Sequence, residues 1–415
     1  MNLAISHKKA QRQEADKKEE RHVGQKNSSY WCRRTRPVRG PSLAQQGAKV
    51  TVFERSHVGA GTSSTTFAWI NSDGKTPESY HHLNALAIDE HIRLQQERTT
   101  EGHWLKATGT YEWAAGAPEQ KRLQDRVSRL LELNYPVQNL SADELKRKVP
   151  EIRVGSHAGD IWYFPGECLL VPSVFMAWLV SELHVHNAEL KTQSEVTELT
   201  EEKNRAEISL ANGERWQGDS IVIAAGRWSA ELASLLGQQL AMIDPNQPNK
   251  IACGFLGYTR PVLTQLQANL ITPGLNVRPE GGGRLLLQCP DLDSFANPAN
   301  PAPVDSYIGE EMHKRLRKLF NNMEMAQLER IAVGQRSRPA DGLPGLGYIS
   351  GKRRIYLMVT HSGMTLGPLI GRLCAEEILH DKRSSLLSDF SPERLLGKTA
   401  KDFPAFTTLH FPAAQ

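Results

Sequence analysis

The chain has 415 residues, 39% hydrophobic and 23% charged, ordinary proportions for a folded protein long enough to build two packed domains. Net charge is +4, but residues 1–41 hold eleven Lys/Arg and four Asp/Glu, a net of +7, so the remainder carries −3 and offers no basic surface for nucleic acid. No run is apolar enough to span a membrane, and Met1–Lys9 lacks the apolar centre of a signal peptide. Cys32, Cys168, Cys253, Cys289 and Cys374 are scattered without metal-type spacing; together these features point to reduced thiols and a cytoplasmic location.

Residues 1–26 are polar and charged without apolar periodicity, and a disordered tail is expected there, with 1–42 as an anomalous segment. Leu43-Ala-Gln-Gln-Gly47 reads as the last turn of a helix with its glycine stop. The strand Ala48-Lys-Val-Thr-Val-Phe-Glu-Arg55 follows, and Glu54 ends it. Helix, glycine, buried strand and terminal acid make the second half of a βαβ nucleotide-binding unit, in which that carboxylate accepts hydrogen bonds from ribose hydroxyls. The alternative for Glu54 is an ordinary strand-end acid.

A dinucleotide fold needs a hydrophobic strand and Gly-x-Gly-x-x-Gly roughly 20 residues before that acid. Neither is present in residues 27–42, where Pro37 and Pro41 also oppose a helix. Read one base forward, the codons of Asn27–Arg36 permit Ile-Val-Val-Ile-Gly-Ala-Gly-Val-x-Gly. The three glycines then fall at the places of Trp31, Arg33 and Arg36, the last of them eighteen positions before Glu54. An out-of-frame phosphate loop is therefore expected, against the alternative of a divergent terminus that merely permits this reading.

Gly59-Ala-Gly-Thr62-Ser63-Ser64 supplies small and hydroxyl residues that let backbone approach a phosphate. Helix-type apolar spacing covers 79–96 and 119–134, with strands at Thr108–Trp113 and Ile161–Phe164. A helix is expected over Ser173–His184 with Pro172 near its first turn. Strands follow at Glu189–Val196 and Ala206–Leu210, with a turn at Asn212-Gly213. The apolar run within Ser220–Ser229 is too uniform for a half-exposed strand and reads as a central parallel strand, and Ala224-Ala225-Gly226 lets it pass close to a ligand. Residues 249–290 read as an antiparallel sheet, and about Glu310–Asn321 as a helix. The strand Ile355–Val359, the turn His361–Pro368 and the helix Leu369–Leu379 close the pattern. A glycine-rich turn opening a helix presents N–H groups and a positive dipole end.

Val50–Arg55, Gly59–Ser64, Ile221–Gly226 with Trp228, Arg336–Pro344 and His361–Gly367 together resemble the FAD-dependent oxidoreductases of the D-amino-acid oxidase family, which includes glycine and sarcosine oxidases and D-amino-acid dehydrogenases. The resemblance runs from about Leu43 to Arg394. It implies an α/β fold, a Rossmann-like FAD-binding domain (43–80, 165–240, 335–400) interleaved with a mixed-sheet α+β substrate domain (81–164, 241–334), with 401–415 as a tail. It implies FAD as cofactor, with Glu54 and Arg55 at the ribose and Thr62, Ser63 and Ser64 in the small-residue loop. Val196 would offer backbone to the adenine, and Ala225, Gly226 and Trp228 would line the passage beneath the cofactor. Ser362, Gly363, Met364, Thr365 and Leu366, with His361, would lie against the flavin ring.

Arg336 stands five residues before Asp341-Gly342, the position of the carboxylate-binding arginine in glycine oxidases, although Ser337 replaces the usual proline. The implied reaction is hydride transfer from an amino acid or amine Cα–H to flavin, with oxygen or a respiratory carrier as electron acceptor. Arg336 and His361 are the candidate reaction-centre residues. For Arg336 the alternative is a structural ion pair, and for His361 a loop histidine that only packs. A cofactor-free relic and an enzyme using NAD alone are the competing classes.

Overall fold

The computed structural model describes residues 3–7, 43–98, 102–155, 158–244, 252–349 and 351–404. Trp31, Arg33, Arg36, Pro37 and Pro41 lie outside the described residues. The nucleotide-type sheet has six strands in the order Gly345–Tyr348, Ile355–Val359, Ser220–Ile223, Leu3–His7, Lys49–Phe53, Glu189–Lys191. Ser220–Ile223 runs parallel to Ile355–Val359, and Lys49–Phe53 parallel to Glu189–Lys191. Ser220–Ile223 and Lys49–Phe53, which flank the sheet centre, are buried at every apolar position, whereas the edge strand Glu189–Lys191 is only half-buried.

Leu3–His7 is a departure from the expected disordered tail. It lies between Lys49–Phe53 and Ser220–Ile223 and is antiparallel to both. Without a partner between them, two buried strands would each leave a row of backbone N–H and C=O groups unpaired. A short strand-competent run satisfies both rows.

Upstream of Lys49, Ala48 N donates to Leu43 O (3.0 Å) and Gly47 N to Ala44 O (3.0 Å), with Gly47 at φ +89°. Those two bonds close a turn over 43–47 in the pattern of a glycine helix stop; the helix expected to precede it lies outside the described residues.

The second large sheet has eight strands: Leu328–Gln335, Cys253–Thr259, Arg284–Gln288, Leu275–Gly281, Asn269–Thr272, Thr110–Glu112, Ile161–Phe164 and Gln138–Leu140. It is antiparallel except where Asn269–Thr272 meets Thr110–Glu112. The expected Glu189–Val196 strand is two strands, Glu189–Lys191 in the first sheet and Val196–Glu201 in a three-stranded meander. The chain bends at Thr192–Ser194, where Ser194 N returns to Glu54 O (2.9 Å). Asn212-Gly213 does form the hairpin turn, with Gly213 at φ +86°.

Helices run over Glu78–Gln96, Ala117–Glu132, Pro172–Val185 and Tyr307–Leu319. The last helix covers Gly363–His380, beginning six residues before the expected Leu369 because Pro368 does not break it.

Candidate flavin and substrate site

One cavity of about 500 Å³ collects most of the candidate residues. Glu54, Thr62 and Ser63 line it from the Lys49–Phe53 side. Ala225, Gly226 and Trp228 line it after the central strand, and Arg336 and His361 to Thr365 complete it. Phe67, Trp69, Phe175 and Trp178 add aromatic surface to its wall.

Glu54 is 5% exposed, and its Oε1 accepts the Ser56 N–H (2.8 Å), which fixes the carboxylate at the strand end. Gly61 has no room for a side chain, since a Cβ would stand 2.9 Å from the Trp228 ring. These contacts fit a dinucleotide: a buried strand-end acid, and a loop whose backbone lies flat against an aromatic wall.

The Gly363–His380 helix opens on the cavity, so its first N–H groups and positive dipole end face the space where electron-rich carbonyls would sit. Ser362 precedes it; its Oγ is 2.9 Å from the Tyr80 hydroxyl, and its N–H donates to Thr360 Oγ1 (3.2 Å). Pro368 has no N–H to give the carbonyl four residues back, that of Met364. His91 supplies it instead: its Nε2 donates to Met364 O at 2.8 Å. The His91 ring is fully buried, and burial pushes its pKa down to about 4, so the imidazole is neutral.

Arg336 is both an ion-pair member and a cavity residue. Its Nη2 donates to Asp293 Oδ2 (2.8 Å) and its Nη1 to Cys253 O (2.8 Å). Asp293 is 1% exposed and also accepts the Phe255 N–H (3.0 Å). Burial raises the Asp293 pKa, while the guanidinium opposes that shift. Gly254 lies beneath the pair, where a Cβ would stand 2.6 Å from Asp293 Oδ2 and 2.7 Å from Arg336 Nη2. Arg336 thus lines the cavity while ion-paired to Asp293.

Four candidates lie off the cavity wall. Leu366 is fully buried in the core beside Tyr80 and Leu369, because the helix turns its side chain away. Ser64 is exposed, with its Oγ on Gly61 O (3.3 Å). The Arg55 guanidinium lies 4.6 Å from the Trp228 ring centroid and 3.8 Å from both Glu195 and Glu231. Val196 pairs with Leu210 in the meander.

A buried charged cluster beside the cavity escaped the sequence reading. Asp73 lies 3.1 Å from Arg126, which also binds Glu112 at 2.5 Å. Glu167 accepts from Trp69 Nε1 (2.7 Å) and Tyr135 (3.0 Å). Lys75, 3% exposed, lines the cavity itself. The only local signal was a polar, glycine-containing run, Asn71-Ser-Asp-Gly-Lys75, directly after a short apolar strand.

A mixed nucleotide-type sheet, a strand-end acid, a helix N-terminus and an arginine around one cavity are the layout of a flavoprotein oxidoreductase. Residues 42–377 match the family described as FAD dependent oxidoreductase, and the chain belongs to that family; FAD is its cofactor. It is 25% identical over 370 residues to a glycine oxidase of Geobacillus kaustophilus, covering 86% of this chain and 94% of that protein. It is also 25% identical over 359 residues to a glycine oxidase of Pseudomonas aeruginosa, covering 80% and 89%. Among solved structures, glycine oxidase from Geobacillus kaustophilus superposes with a TM-score of 0.74 at 22% identity, covering 86% of this chain and 94% of that one. L-Proline dehydrogenase from P. horikoshii superposes with a TM-score of 0.72 at 17% identity, covering 85% and 92%. The mixed α/β fold expected from the sequence is thus the fold of this family, and the protein is an FAD-dependent oxidoreductase.

Proposed function

We propose that the protein oxidises the C–N bond of a small amino acid or related amine. The observation that carries this reading is the convergence of Glu54, the Ser362–Thr365 turn and Arg336 on one cavity. Bound flavin supplies the acceptor for the hydride leaving the substrate Cα, and the resulting imine hydrolyses. Arg336 holds the substrate carboxylate with a permanently charged planar fork, and Asp293 fixes the direction of that fork. Glu54 accepts hydrogen bonds from the ribose, and the N–H groups of Gly363 to Thr365 donate to the ring carbonyls. His361 contributes backbone shape rather than acid–base chemistry. Phe67, Trp69, Phe175 and Trp178 exclude water from the reacting carbon. The electron acceptor is oxygen or a respiratory carrier. A cytoplasmic setting fits the free, buried thiols of Cys168, Cys253, Cys289 and Cys374.

A second reading is an inactive relic that holds no flavin. What favours it is the missing Gly-x-Gly-x-x-Gly and the reversed Leu3–His7 strand in the first-strand slot. The flavin-to-protein ratio of the purified chain, followed by ammonia release from a panel of amino acids with oxygen or an artificial acceptor, tests both. Near-stoichiometric flavin with turnover excludes the relic. A colourless chain that turns yellow when residues 27–36 are replaced by Ile-Val-Val-Ile-Gly-Ala-Gly-Val-Val-Gly, and 37–42 by helix formers, locates the defect in the loop. A colourless repaired chain sinks the functional reading.

A further inference from the structure

We infer that Lys75 is the proton acceptor for the substrate ammonium group. The inference rests on the amino-acid-oxidising reading above. Lys75 follows Gly74, which has φ +70°, and its backbone is held by its own N–H on Ser72 O (3.4 Å) and by Arg129 Nη2 on its carbonyl (3.5 Å). Its Nζ lies 5.9 Å from the Tyr80 ring centroid, and the Tyr80 hydroxyl touches Ser362 at the start of the flavin-facing helix. Lys75 therefore belongs to the end of the cavity where the flavin ring and the substrate meet.

An α-amino acid arrives as an ammonium ion. Loss of hydride from Cα needs a lone pair on that nitrogen, so a proton must leave first. In this step the substrate N–H bond breaks and its electron pair stays on the substrate nitrogen. The lone pair of Lys75 Nζ forms the new N–H bond, and the lysine becomes an ammonium that later returns its proton to solvent. A lysine can do this only if it is neutral near working pH.

The groups around Lys75 set that condition. Burial pushes its pKa down from 10.5 to about 8; Asp73 and Glu167 oppose the shift, and Arg338 adds to it. Burial also raises the neighbouring acids: Asp73 upward, Glu112 to about 8, and Glu167 well above its usual range. Amine and carboxyls are thus brought toward the same pH, which suits groups that pass a proton among themselves. Asp73, Glu112 and Glu167 stand behind the wall, and Lys75 is the member of the cluster that lines the cavity.

The test separates a base from a positioning cation. Arginine keeps the charge but cannot accept a proton. In flavin-loaded protein, Lys75→Arg and Lys75→Met should each lose about 100-fold in kcat/KM at pH 7. Both should then recover about tenfold per pH unit as the substrate itself loses its proton. Wild-type rates in Lys75→Arg overturn the inference and leave the amino-acid reading standing. A readout without turnover uses 2-aminoisobutyrate, which has no Cα–H to lose. Calorimetry of the full chain in buffers of different ionisation enthalpy should show close to one proton released on binding at pH 7. That release should decline above pH 8 and be absent in Lys75→Arg. Binding of 2-aminoisobutyrate to the wild type without proton release overturns the inference, even if the variants fold poorly. If the wild type neither binds it nor oxidises any amino acid, the functional reading falls, and this inference with it.

Discussion

Replacing His91 with Phe removes the donor that completes the flavin-facing helix, and its cost should depend on pH in a specific way. At pH 7.5 the variant takes the His91 hydrogen bond from the part-buried Met364 O, and Pro368 cannot replace it. An orphaned buried carbonyl costs about 1–3 kcal/mol. His91 itself carries an acid liability. Its pKa is about 4 in the folded protein against 6.5 ordinarily, with burial as the main cause, and the folded state therefore resists a proton that the unfolded chain accepts. The stabilisation from keeping it neutral is complete above pH 6.5 and is lost as pH falls from 6.5 toward 4, about 1.4 kcal/mol per pH unit. At pH 4.5 that loss is roughly 3 kcal/mol in the wild type and absent in the variant. Denaturant unfolding followed by tryptophan fluorescence should find His91→Phe less stable at pH 7.5, and equal or more stable at pH 4.5. A stability difference that stays constant between these pH values would refute the reasoning, as would no loss at pH 7.5.

Arg336→Ala should raise KM for carboxylate-bearing amines by roughly ten- to a hundredfold while changing kcat less, because a charge-assisted contact is removed; Lys should rescue only part of it, and unchanged steady-state constants would remove Arg336 from the carboxylate site. Gly254→Ala should force the Asp293–Arg336 pair apart, costing about 1–3 kcal/mol in unfolding experiments and raising the same KM; a variant neutral in both measurements would mean that the pair shifts freely. In a chain with its phosphate turn restored, Glu54→Ala should weaken FAD retention by about 1.5–3 kcal/mol for each ribose hydrogen bond lost, read by equilibrium dialysis, with the substrate profile unchanged.

The elements that the sequence revealed are those whose signals are local. Gly47 closes a turn, Pro172 starts a helix, Asn212-Gly213 turns a hairpin, and Ser220–Ile223 lies in the sheet interior. The features it concealed depend on partners far away in the chain. Pro368 signals a break, yet the helix passes through it because His91, 273 residues distant from Met364, takes the freed carbonyl. The ion pair offered as the alternative for Arg336 has no local sign of its partner, because Asp293 stands 43 positions earlier. Asp73, Glu112, Arg126 and Glu167 lie on separate segments, and only folding makes them one cluster.

The first-strand slot separates two requirements that a dinucleotide fold normally meets with one segment. Closing the sheet requires only backbone pairing, which either strand direction can satisfy, and Leu3–His7 satisfies it on both sides. Cradling a pyrophosphate requires direction as well. The strand must deliver the chain to the cavity end of the sheet, straight into a glycine turn at a helix N-terminus. Leu3 lies opposite Phe53 and Ile223, and His7 opposite Lys49, so this strand arrives at the cavity end and leaves from the far edge. The sheet is completed, but this strand leaves it at the end away from the cavity. Stability therefore reports on pairing and flavin content on the cradle, and a chain that unfolds cooperatively yet purifies colourless would be the expected signature of a fold retained without its phosphate turn.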